Sequence, residues 1–270
     1  MRKKLFISII LIFALTQISA AQTQEVKPPI DENTPKEVKE YYRLILKWKD
    51  MDITKAIDQI KNLSEKELKY IVPLVYKTIE YNYEEFNKYL RIEHKKLMDE
   101  RFKDKKKVGA SFHTLHSIVK EQIKQKIPTK SYALVYIPYF LIIKVAEVNK
   151  LQEYEHVVLL EVKGIIKQTL KGHFSENEQI SFRYNKLWPN APTFSIGEEA
   201  LVLLETRGFG TTDDYGLGLI VYLDKNDGRY FVSNNIVFDP HNFFEYGKEV
   251  LIKEFVNSFQ NDVKAIKNQE

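Results

Sequence analysis

The chain has 270 residues, with 41 basic, 37 acidic, 44% hydrophobic and no cysteine. The lack of cysteine excludes disulfides, thiolate metal sites and a lipid anchor on cysteine, so the body must be held together by packing alone. A formal charge of +4 builds no strong attraction to nucleic acid or anionic lipid into the composition, and nucleic acid is not an expected partner.

At the N-terminus, Arg2, Lys3 and Lys4 precede an apolar run from Leu5 to Thr16, and Ser19, Ala20 and Ala21 follow. A positive start, a short apolar stretch and small residues have the form of a cleavable export signal over residues 1–21, cut after Ala20 or Ala21. A bilayer core takes roughly 20 apolar residues, so an uncleaved anchor is the lesser alternative. Cleavage would remove three of the 41 basic residues and leave 38 against 37 acidic ones. The expected location is periplasmic or secreted, with no transmembrane segment after cleavage. Residues 22–33, polar and containing Pro28-Pro29, read as a flexible lead-in.

Residues 34–127 read as a helical domain. Thr34-Pro35-Lys36-Glu37 predicts a helix start, with Thr34 as N-cap, Pro35 in the first position and Glu37 in the third. Val38, Tyr41, Tyr42, Leu44, Ile45 and Trp48 then recur at helical spacing. A second start stands at Ser64 with Glu67 three residues on, followed by Leu68, Ile71, Val72, Val75 and Ile79 on one face. Pro73 is expected to kink or split that helix. Tyr83 to Lys107 predicts a charged helix with Phe86, Tyr89, Leu90, Ile92 and Leu97 as its apolar stripe, and 110–127 predicts another. The expectation is an antiparallel bundle of four or five helices.

The pattern changes at Ile127-Pro128-Thr129-Lys130, which reads as the connection between two halves. From there, residues 131–268 predict strands. Tyr132 to Val148 is β-branched and aromatic. In Val157 to Ile166, Val158, Leu160 and Val162 alternate with Glu161 and Lys163. Gln179 to Tyr184 and Ala200 to Glu205 are further strands. Leu219 to Leu223 and Tyr230 to Ser233 flank a hairpin signal at Asp227-Gly228, and Gly247 to Ile266 predicts a closing amphipathic helix. The fold class expected is α+β, an N-terminal helical bundle followed by a small antiparallel OB-like β-barrel with a C-terminal helix.

Over residues 141–235, the runs VVLLEVKGIIKQTLKG, ISFRY and LWPNAPTFSIGEEALVLLE resemble the netrin-like, tissue-inhibitor-of-metalloproteinase-like OB-fold family. The matching positions are Glu161, Val162, Lys163 and Gly164, then Phe194, Gly197, Glu198 and Glu199 before Leu201 to Leu204. The resemblance implies an extracellular interaction module. It does not carry over the inhibitor chemistry, which uses an N-terminal cysteine that this chain lacks. Read without the family, Gly197 supplies a turn and Glu198 and Glu199 blunt a strand entrance.

Few motifs carry chemistry. His113 and His116 sit at i and i+3 on one helix, a spacing able to hold a metal, but no H-E-x-x-H completes it. No G-x-S-x-G is present. The glycines at 208, 210, 216 and 218 lack the context of a phosphate loop, and Asp213-Asp214 lacks an EF-hand pattern. The basic run Arg101, Lys103, Lys105, Lys106 and Lys107 reads as a solvated helix end. Tyr184, Trp188, Phe194, Phe209 and Tyr215 are the candidate binding aromatics, in or beside the loops 185–193 and 207–218, with packing against the barrel as the alternative fate.

These readings predict an exported, non-catalytic binding protein with a protein or glycan partner at the cell envelope and no cofactor. The alternatives are an envelope hydrolase or metal-dependent enzyme using His113 and His116, and a structural subunit of an envelope assembly.

Overall fold

The structure, a computed structural model, describes residues 27–103, 109–154, 157–186, 193–208, 217–221 and 229–268. The expected export signal (residues 1–21), the basic run from residue 104 to 107, and the expected turn at Asp227-Gly228 lie outside the described residues.

Among the described residues five helices come first: α1 (Lys36–Lys49), α2 (Ile53–Lys61), α3 (Glu65–Lys103), α4 (Phe112–Lys126) and α5 (Thr129–Tyr136). Thr34 does not cap α1. Its hydroxyl donates to Asp31 Oδ1 at 2.8 Å and accepts from Asp31 N at 2.9 Å, while Pro35 takes the capping position and its carbonyl accepts from Lys39 N. Helix α2, absent from the sequence reading, starts on Asp52, whose carboxylate accepts from Thr54 N and Lys55 N. The Ser64 start is a reciprocal capping box: Ser64 N donates to Glu67 Oε2 at 2.7 Å and Glu67 N to Ser64 Oγ at 3.3 Å.

Helix α3 runs through Pro73 and breaks instead at Asn82, whose φ of −160° and ψ of 74° are not helical. Asn82 Oδ1 accepts from Glu85 N at 3.3 Å and so restarts the helix.

Strands β1 (Tyr139–Tyr154), β2 (Val157–Lys171), β3 (Gln179–Lys186), β4 (Glu199–Gly208), β5 (Leu217–Val221), β6 (Arg229–Ser233), β7 (Ile236–Phe238) and β8 (Glu249–Leu251) follow, and α6 (Ile252–Lys267) closes the chain. The fold is α+β. Tyr132 to Tyr136, expected as strand, belongs to α5. The segment is buried on every side, and an all-apolar run of that length has no periodicity to separate helix from strand. The closing helix begins at Ile252 rather than Gly247 because Glu249–Leu251 pairs with β7.

Among the described residues, pairing is antiparallel except between β3 and β5, which run parallel through Phe182↔Leu219 and Arg183↔Ile220. The order is β1-β2-β3-β5-β4-β6-β7-β8, and β1 also pairs with β4 from Tyr139↔Leu204 to Lys144↔Glu199. The hairpin between β6 and β7 turns on Asn234 and Asn235 with φ of 50° and 63°. Positive φ at both central residues is what a type I′ turn requires.

Two cores share the sheet. Tyr139, Leu141, Ile143 and Val145 of β1 and Ala200, Val202 and Leu204 of β4 join Leu160, Val162, Ile180, Phe182 and Val221 in one cluster. Phe140 and Ile142 of β1 and Leu201 and Leu203 of β4 point the other way, into a core built with α1 to α6. Strands buried on both faces have no polar face to alternate, which explains the unbroken apolar runs at 139–143 and 200–204.

Candidate functional site

The second core leaves an open groove where α6 leaves the sheet. It is about 680 Å³ in volume, within the range of ligand-binding clefts, and ten of the described residues line it. Ile142 forms its floor from β1, with Leu251 and Val256 as apolar walls. Lys167 and Gln168 come from β2, Glu199 from the start of β4, Asn235 from the β6–β7 turn, and Lys253 and Asn257 from the first turns of α6. The β6–β7 turn fixes the entry of α6, because the Asn235 carbonyl accepts from Ile252 N at 2.7 Å. Among the described residues, none of Lys167, Glu199 and Lys253 takes part in an ion pair. The groove therefore presents two ammonium groups, a carboxylate and three amides around an apolar strip, donors and acceptors suited to a polar, extended ligand.

The two predicted imidazoles part company. His116 is 8% exposed and shares a 2.6 Å hydrogen bond between its Nδ1 and the Tyr41 hydroxyl. Burial pushes its pKa down to about 3 and that of the Tyr41 hydroxyl well up, so both groups stay uncharged. His116 is thus a core residue rather than a surface ligand. His113 faces a different imidazole, His94 of α3, with ring centroids 4.8 Å apart. Burial, then the adjacent His94, lowers the pKa of His113. His94 escaped the sequence reading because it lies 19 positions upstream on another helix, where no local spacing links it to His113.

Of the five candidate aromatics, Trp188, Phe209 and Tyr215 lie outside the described residues. Tyr184 and Phe194 are 1% and 3% exposed and meet edge to face with centroids 5.3 Å apart. They pack inside the sheet, the alternative fate for this loop, and offer no face to a ligand. The turn after Phe194 is as the sequence suggests: Glu198 N donates to Ser195 O, and Gly197 has φ of 89°. Glu198 does more than blunt a strand. Its carboxylate accepts from Arg229 Nη2 at 2.7 Å, both side chains are 10% exposed, and the guanidinium lies 5.0 Å from the Phe194 ring centroid.

A buried lysine stands farther along β2, beside the C-terminal half of α6. Lys171 is 5% exposed and donates to Leu134 O at 2.6 Å, a carbonyl in the last turn of α5, with the Tyr76 ring centroid 4.6 Å away. Burial pushes its pKa down to about 7. The helix-end carbonyl and the ring face occupy the amine, which ties α5 to the sheet.

Among the described residues no helix is long and apolar enough to cross a membrane. Comparison with protein-family models, with curated proteins and with solved structures finds no match for this chain.

Proposed function

We propose that the chain is an exported binding module that holds a protein or glycan segment of the cell envelope in the groove between the sheet and α6. The groove carries this reading: an apolar strip edged by Lys167, Gln168, Glu199, Asn235, Lys253 and Asn257, from β2, β4, the β6–β7 turn and α6. Such convergence of polar groups on an apolar floor is the ordinary form of a binding cleft.

An OB-like barrel of the netrin-like kind underlies the proposal. It is supported by the pairing sequence β1-β2-β3-β5-β4 with β4 returning to β1, by the parallel β3–β5 contact, and by the Gly197 turn before β4. Export rests on the charged and apolar pattern of residues 1–21. N-terminal sequencing of the protein recovered from culture fractions tests it, with a start at Ala21 or Gln22 expected.

The binding reading is tested on glycan and peptide arrays with the purified protein and its Lys167→Glu/Lys253→Glu variant. Retention of a polar ligand by the parent and its loss in the variant is the expected result. Equal retention by both would move the site elsewhere, and no retention of either class would remove the reading.

A further inference from the structure

Away from the groove, the helical layer brings two imidazoles together at a second site. His94 on α3 and His113 in the first turn of α4 have ring centroids 4.8 Å apart, inclined at 42°. Ring nitrogens bound ~2 Å from one ion set two imidazole centroids about 5 Å apart. The pair already has the separation that one shared ion requires.

One of the two rings is also held by its inner nitrogen. His94 Nδ1 lies 3.1 Å from Ser111 Oγ, and Ser111 is fully buried as the N-cap of α4. Ser111 Oγ accepts from Thr114 N at 2.9 Å and lies 2.8 Å from Thr114 Oγ1, to which it can give its proton. It then accepts from His94 Nδ1–H, leaving Nε2 as the nitrogen with a lone pair. A hydrogen bond to one nitrogen that fixes the ring and frees the other is how metal-binding histidines are oriented.

The backbone around the pair is equally constrained. Glu93, 7% exposed, accepts from Lys49 Nζ at 2.7 Å and from Phe112 N at 2.8 Å. One carboxylate therefore joins α1, α3 and the start of α4 directly beside both histidines. Ligands on helices locked in this way keep their geometry without a metal.

Beside the rings lies an open cleft of about 480 Å³, lined among others by Lys61, Thr114, Ser117, Glu121 and Gln125. Among the described residues no group of three or more His, Cys, Asp or Glu gathers as a ligand set. The remaining coordination positions thus fall to water or to a small ligand entering the cleft.

We propose that His94 and His113 form a two-imidazole site for a borderline divalent transition metal, with exchangeable positions open to the cleft. Imidazole donors suit Cu(II), Ni(II) and Zn(II), and among these Cu(II) binds most tightly. The site does not depend on the groove or on its ligand.

The test is calorimetric titration of tag-free protein with Cu(II) and with Zn(II) near pH 7.4, together with electron paramagnetic resonance of the copper-loaded sample. The expected result is one ion per chain with nitrogen hyperfine structure from two imidazoles. His94→Asn and His113→Asn should each weaken binding at least about tenfold, while His241→Asn, a change on an exposed loop, leaves it intact. Circular dichroism checks that the variants fold. The parent spectrum decides independently of them: no saturable binding, no imidazole nitrogen on the copper, or affinity unchanged in both ligand variants would overturn the site.

Discussion

Gly164 of β2 lies against the side chain of Ile143 on β1. A Cβ built there would lie 2.9 Å from Ile143 Cδ1 and 3.3 Å from Ile143 Cβ, inside a core with no room to move aside. Gly164→Ala should therefore destabilise the protein by about 1–3 kcal/mol, the usual cost of overpacking, as read from urea denaturation. The same residue was legible as part of the Glu161-Val162-Lys163-Gly164 pattern, although its physical reason, the crossing of Ile143, was not. His116 shows the opposite case. Its position beside His113 suggested a ligand, and only the three-dimensional packing against Tyr41 makes it a core residue.

That burial has a pH consequence. His116 keeps a folded pKa of about 3 against an ordinary 6.5. Between those values the unfolded chain binds a proton that the folded chain does not, so stability falls as pH falls through this window. The slope is at most about 1.4 kcal/mol per pH unit from this one group. Above pH 6.5 the imidazole is neutral in both states and contributes no slope. His116→Leu should give a flatter dependence of unfolding free energy between pH 6.5 and 4.5 than the parent, and identical slopes would refute the assignment.

Among the elements, the capping box at Ser64 was legible, while the Asp52 start of α2 and the break in α3 were not. Ser64 and Glu67 cap each other as the sequence suggests, and Ser64→Ala should cost about 1 kcal/mol, seen as a fall of about 2–4 °C in Tm for a chain of this size. Pro73, by contrast, does not divide α3. The break falls at Asn82, whose side chain can cap the helix that follows, as asparagine readily does. Short apolar runs were the other source of error. Tyr132 to Tyr136 and Phe140 to Ile143 are both continuous apolar stretches, yet the first is helix and the second strand, because each is surrounded on all sides and periodicity carries no signal there. The groove was illegible for a related reason: Lys167, Glu199, Asn235 and Lys253 are isolated polar residues until the sheet and α6 bring them to one rim.

In the molecule as a whole, the helical part and the sheet part are joined through a core. Phe140, Ile142, Leu201 and Leu203 of the sheet share one cluster with Tyr41, Ile45, Val75 and Leu115 of the helical layer. The helical layer and the sheet should consequently unfold in a single cooperative transition, with coincident curves from far-ultraviolet circular dichroism and tryptophan fluorescence. Residues 131–268 alone should aggregate, since they would expose the sheet face that the helices cover. The groove lies at the margin of this shared core, where α6 departs from the sheet, and its walls are set by the same packing.

The proposed role for that groove is tested most directly by site-specific photocrosslinking in the cells that make the protein. A benzophenone side chain is placed at Asn257 on the groove wall, or at Lys66 on the exposed surface of α3 as a control. The account predicts a discrete envelope adduct from position 257, absent from position 66 and lost when Lys167 and Lys253 are changed to Glu. Adducts from position 66 but not 257, or none from position 257, would contradict it.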